Sequence, residues 1–186
     1  MAKRKLRKTN KTVLIVVEGE TEEAFVNHLK RLYYQRGMPL SVSIKNAHGY
    51  GPQGIIDKLK SVAQTADFEQ RLAVLDSDIP LSPAQEKWFR QQKVEIVFST
   101  PAIEATLLSI LGKQAPHVTS ICKSELLKHA PGDPTEARYY DKFFPLACIE
   151  SARPRIPALN RLIHVLTAVS GDFLSTQSTD VPFSTR

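Results

Sequence analysis

Carboxylates stand where the apolar runs of this chain end. Residues 13–17 stop at Glu18, residues 72–75 stop at Asp76-Ser77-Asp78, and residues 94–98 run into Ser99-Thr100-Pro101 with Glu104 just beyond. Carboxylate oxygens are hard donors, and an Asp-x-Asp on extended chain projects both acids to one side. Such a pair suits Mg²⁺, which takes one or two protein oxygens and completes its octahedron with water and phosphate oxygens. Glu18 would ligate the same ion or act as general acid or base toward a leaving 3′ oxygen. Like charges crowded into one place repel unless a cation neutralises them. The expected chemistry is therefore that of phosphates on Mg²⁺ or Mn²⁺, with Glu18, Asp76 and Asp78 as metal ligands.

Nearby residues admit two readings each. Glu104 falls in the first turn of a helix, as a further catalytic acid or as a complement to the helix dipole. Ser99 and Thr100 either cap that helix or touch a phosphate, and capping is the expectation. Gly19 lets the chain turn after Glu18 and brings peptide N–H groups toward a phosphate. Glu20, Glu22 and Glu23 are assigned to the dipole of the helix that begins there.

A rival motif lies between them. Gly49-Tyr50-Gly51-Pro52-Gln53-Gly54 has the G-x-G-x-x-G spacing of a dinucleotide site, follows a strand, opens a helix and has Asp76 about twenty residues on. An oxidoreductase using Gly49, Gly51, Gly54 and Asp76 is the competing plan. Against it, the motif follows the second strand, Pro52 removes an N–H, and Glu18 and Asp78 would have no role. The loop reads instead as a phosphate-approaching or gating turn, with Gly49, Gly51 and His48 as substrate contacts, although a satisfied loop histidine is the commoner case. No serine lies in a G-x-S-x-G elbow, the five histidines lack zinc spacing, and Tyr139 and Tyr140 read as an aromatic core pair.

Four strand-like runs alternating with helical periods over residues 12–112 must position these groups. That alternation predicts an α/β fold with a mainly parallel four-stranded sheet. The β-branched run ending at Val17 suits a strand buried on both faces. A helix capped by Thr21 carries Phe25, Leu29, Leu32 and Tyr33, and Ser82-Pro83-Ala84-Gln85 reads as a capping box. Past Gly112 the pattern weakens. Residues 122–129 suggest a short helix, Tyr139 to Leu146 shows no period, and Leu159, Leu162, Ile163, Leu166 and Val169 mark an amphipathic helix. Four stretches are expected: a basic, disordered arm at 1–11, an α/β domain at 12–112, a helical extension at 113–170 on the same core, and a frayed tail at 171–186.

The 186 residues carry a net charge of +6, with 42% hydrophobic and 24% charged residues, ordinary values for one globular domain. Lys3, Arg4, Lys5, Arg7, Lys8 and Lys11 form a basic stretch. Without those six, the remaining 19 of 25 basic residues match 19 acidic ones. A basic arm on a neutral body favours a polyanion, with DNA or RNA the first candidate. Cys122 and Cys148 fit no metal or redox motif, and the chain shows neither a secretory leader nor a membrane span. The expected location is the cytoplasm.

Together these residues resemble the TOPRIM family, whose signature is a glutamate after the first strand and an Asp-x-Asp after a later strand of a Rossmann-like sheet. Glu18, within Leu14-Ile-Val-Val-Glu-Gly-Glu-Thr-Glu22, and Asp76-Ser-Asp78 match it over residues 12–112. The arrangement is similar to small stand-alone TOPRIM proteins of the RloB-like, abortive-infection type, related to the overcoming-lysogenization-defect nucleases. Those carry a comparable element to Ser99-Thr-Pro-Ala-Ile-Glu104. The resemblance implies a glutamate as general acid or base, aspartates holding Mg²⁺, and a nuclease of antiviral defence working beside a separate ATPase. The alternative is a non-catalytic nucleic-acid- or nucleotide-binding module of a defence complex.

Overall fold

The computed structural model describes residues 10–167. Its elements are β1 (Lys11–Val17), α1 (Glu20–Tyr33), β2 (Leu40–Asn46), α2 (Gly51–Ala63), β3 (Gln70–Asp76), α3 (Pro83–Gln91) and β4 (Val94–Ser99). There follow α4 (Ile103–Ile110), α5 (Thr119–His129), α6 (Ala137–Phe143), α7 (Leu146–Ala152), a 3₁₀ turn (Arg153–Arg155) and α8 (Pro157–Thr167). The strands form one all-parallel sheet in the order β2-β1-β3-β4, consistent with a Rossmann-like α/β fold.

Alternation along β1 explains the layers. Val13, Ile15 and Val17 face one core with Phe25, Val26 and Leu29 of α1, while Leu14 and Val16 face another with Ile55, Ile56 and Leu59 of α2. Successive strand side chains point to opposite faces, so a strand covered on both sides must be apolar throughout. All five residues are at most 1% exposed. Each such side chain contributes ~1.5–3 kcal/mol by leaving water.

Helices α2 and α3 cover one face; α1 and the helices from α4 onward cover the other. Tyr140, Phe144, Ile149, Leu159 and Ile163 share the core of β1, so the described residues beyond Gly112 are built onto the sheet. Helix α6 occupies most of the stretch from Tyr139 to Leu146 whose sequence shows no period, and α7 starts at its end. Tyr139, Tyr140, Phe143 and Phe144 hold it by mutual ring packing.

Some expectations are corrected. Thr21 lies inside α1, whose N-cap is Gly19 without a side-chain hydrogen bond. Ser99 and Thr100 do not cap α4, because β4 continues through Ser99 and the helix starts after Ala102. Lys11 is the first residue of β1, its N–H donating to the Pro39 carbonyl at 2.9 Å, so it is sheet and not arm. The capping box at Ser82 and Gln85 is present as expected. Lys3, Arg4, Lys5, Arg7, Lys8, Val169 and the tail from Gly171 lie outside the described residues. Among the described residues, no helix is long and apolar enough to cross a membrane.

Candidate active site

Chain topology selects the place. Helix α1 carries the chain from β1 to β2 over one face, and α2 returns it to β3 over the other. The carboxyl ends of adjacent β1 and β3 therefore border a crevice, the position where open α/β sheets bind ligands. Glu18 follows β1 directly, and Asp76 is the last residue of β3.

Five carboxylates gather there. Burial raises Glu18, the facing backbone N–H of Asp76 favours its charged form, and the charge of Asp78 opposes it. Asp76 is pushed up to about 8, first by burial and then by the charges of Glu22, Glu18, Glu104 and Asp78. Burial also raises Glu18 and Glu22, and Glu104 and Glu18 add to the effect on Glu22. Glu22 is 5% exposed and Glu104 7%, so neither is an ordinary surface acid. The three acids singled out by strand-end position lie within electrostatic reach of one another, and Glu104 acts on Asp76 as well.

Glu22 corrects the dipole assignment. It occupies the inward stripe of α1 formed by residues 22, 25, 26 and 29, the other three being Phe, Val and Leu. A carboxylate on the apolar stripe of a helix was the available signal. Gly19 is explained by the same side chain. Its backbone is ordinary extended chain (φ −139°, ψ −174°), but a Cβ there would stand 3.0 Å from Glu22 Oε2. Glycine at 19 makes room for Glu22; the chain does bend at Glu18 and Gly19, but through a backbone conformation open to any residue.

The second aspartate is held by backbone and hydroxyl groups. Ser77 N–H donates to the carbonyls of Ser99 (2.9 Å) and Pro101 (3.0 Å), and Asp78 N–H donates to Pro101 (3.2 Å). Thr119, opening α5, donates its hydroxyl to Asp78 Oδ2 at 2.8 Å. The segment with Ser99 and Thr100 thus works through its carbonyls as a strap under the Asp-x-Asp loop. Ser99 is itself 3% exposed.

The glycine loop forms the neighbouring wall. His48, Gly49, Tyr50 and Gly51 all have positive φ (59°, 90°, 66° and 55°), a left-handed run costly for the two non-glycine residues. Gly49 N–H donates to the Glu18 carbonyl at 2.9 Å, and His48 N–H to Asn46 Oδ1 at 2.7 Å. These two N–H groups are already paired, which removes them as phosphate donors. A Cβ on Gly51 would lie 3.9 Å from Glu18 Oε1, and one on Gly54 only 2.2 Å from the Gly49 carbonyl oxygen. The loop is pressed onto α2 and against Glu18, with the His48 side chain exposed at its edge.

Tyr139 is 5% exposed in the aromatic cluster and Tyr140 fully buried, as expected of core residues. Burial and then the charge of Glu104 push the Tyr139 hydroxyl up to about 12, which suits no nucleophile at neutral pH.

Two oxygens in the cluster, Asp76 Oδ1 and Glu104 Oε2, are buried without a hydrogen-bond partner. The nearest cation recorded for Glu104 is Lys123 Nζ, 3.9 Å from its other oxygen. An orphaned buried carboxylate oxygen costs several kcal/mol of lost solvation, ~1–3 or more by mutational measures. Among the described residues, no three His, Cys, Asp or Glu side chains already converge as the ligands of a metal ion. Mg²⁺ asks less, one or two carboxylates with water and phosphate oxygens completing the shell. Comparison with protein-family models, curated proteins and solved structures finds no match.

Proposed function

We propose that this chain is a divalent-cation-dependent nuclease hydrolysing phosphodiester bonds in DNA or RNA, with TOPRIM-type chemistry. One observation carries the reading: Asp76, at the switch point of a parallel sheet, feels the charges of four other carboxylates, and two oxygens of this group are buried and unpartnered. Asp76 and Asp78 are assigned to hold Mg²⁺ or Mn²⁺, with Glu22 and Glu104 neutralised by the same charge. When bound, the cation polarises the phosphate and stabilises charge developing on attack. Glu18 serves as general acid or base. Its carboxylate is raised by burial, which brings its proton affinity nearer to working pH.

The basic residues Lys3, Arg4, Lys5, Arg7 and Lys8 favour encounter with a polyanion. By the TOPRIM resemblance, the reading extends to a role in cytoplasmic antiviral defence beside a separate ATPase. The test is cleavage of plasmid, single-stranded DNA and structured RNA with Mg²⁺, Mn²⁺ or chelator. Glu18→Gln and Asp76→Asn should each lower cleavage by about 10²–10⁴-fold. Equal activity in either variant, or activity in chelator, would remove the mechanism.

A further inference from the structure

A second cavity lies outside the carboxylate cluster, beyond the free edge of β4. It measures about 600 Å³ and runs between the end of β4, the outer side of α4, the turn after α4 and the start of α8. That volume suits a small-molecule ligand, for which pockets are commonly ~300–1,000 Å³. Its chemistry is the opposite of the acidic crevice. Lys113 and Arg155 line it, no carboxylate does, and neither cation forms an ion pair with a described residue.

Three hydroxyl residues, Thr100, Thr106 and Ser109, line the same space, and Ser109 already donates to a carbonyl. Thr106 is only 8% exposed, and its hydroxyl has no hydrogen-bond partner among the described residues. A threonine so deeply placed on a helix ordinarily bonds back to a carbonyl, as Ser109 of the same helix does to Ala105 at 2.9 Å. Phe98, 40% exposed at the strand end, and Pro157 at the first turn of α8 supply flat apolar surface.

A guanidinium and an ammonium with two hydroxyls form a phosphate receptor, and an aromatic face beside them receives a base. We infer that this cavity binds a nucleotide, its phosphate on Lys113, Arg155 and Thr106 and its base against Phe98. The nucleotide is either free or one unit of a strand. The second source is named because Thr100, in the cavity lining, adjoins Pro101, whose carbonyl accepts from the Asp78 N–H.

The test is calorimetry on the full chain carrying Asp76→Asn, in chelator, so that nuclease chemistry plays no part. The ligands are adenosine 5′-monophosphate, inorganic phosphate, adenosine and a short oligo-dA. The monophosphate should bind more tightly than phosphate or adenosine. Lys113→Ala with Arg155→Ala should weaken it about tenfold or more, since charge-assisted bonds are lost. Thr106→Val should weaken it by a smaller factor. Phe98→Ala should weaken the monophosphate while leaving inorganic phosphate unchanged. Oligo-dA competing with the monophosphate would identify the strand as the source, and absence of competition the free nucleotide. Unchanged monophosphate affinity in the double variant, or binding of neither nucleotide ligand by the parent chain, would overturn the proposal.

Discussion

At the scale of residues, proton affinity is set by the company the acids keep. In folded protein Asp76 holds its proton up to about 8, whereas the unfolded chain releases it in the ordinary carboxylate range. Between those limits the folded state binds more protons than the unfolded one, so in chelator stability falls as pH rises, levelling above about 8. Thermal unfolding in chelator from about pH 5 to about pH 9 should show that fall, and Glu22→Gln should lessen it by removing the largest single charge acting on Asp76. Mg²⁺ should raise stability most at the alkaline end. A flat profile would mean that Asp76 is not held protonated by its surroundings. Glu18, Asp76 and Asp78 were legible because each sits where an apolar run stops. Glu22 was legible only as a charged interruption of the stripe at residues 22, 25, 26 and 29, and helix-dipole reasoning hid it. The role of Gly19 depends on where the Glu22 carboxylate lies in space, which sequence spacing alone does not give.

At the scale of elements, two loops and one helix start build the crevice. The Gly49–Gly54 turn is pressed so closely on α2 that Gly54→Ala sets a backbone clash against a propensity gain. Alanine improves a helix interior by about 1 kcal/mol over glycine, yet its methyl group would meet a carbonyl oxygen at 2.2 Å. Overpacking of that kind costs about 1–3 kcal/mol. Gly54→Ala should therefore lower the unfolding midpoint in denaturant, and an unchanged or raised midpoint would show that the loop yields freely. Strand and helix alternation through α4 was readable from apolar periodicity. The ends were less so, since β4 pairing continues through Ser99 while capping rules looked for a helix there. Helices α6 and α7 were not readable, because short helices held by ring packing need no 3.6-residue stripe.

At the scale of the whole molecule, charge is divided among three places. The sheet edge gathers acids, the cavity beyond β4 presents cations, and residues 3–8 add five basic groups to the chain. If that segment contacts phosphates, removing residues 1–9, which leaves β1 whole, should weaken nucleic-acid binding. It should also flatten the dependence of log affinity on log salt by about 0.7–0.9 per lost contact. An unchanged salt slope would show that the segment stays off the nucleic acid. The sequence showed the segment's charge and the class of partner it favours. It did not show the β4 cavity, whose lining comes from residues 98–114 and 155–158, far apart in the chain.

The most direct test of the central claim is a crystal of the full chain soaked in Mn²⁺, read by anomalous scattering. One or two manganese peaks should lie in the crevice between β1 and β3, in direct contact with carboxylate oxygens of Asp76 or Asp78 and bordered by Glu18. Full soaking with no peak there, or manganese bound only elsewhere, would contradict the assignment of these acids to a cation.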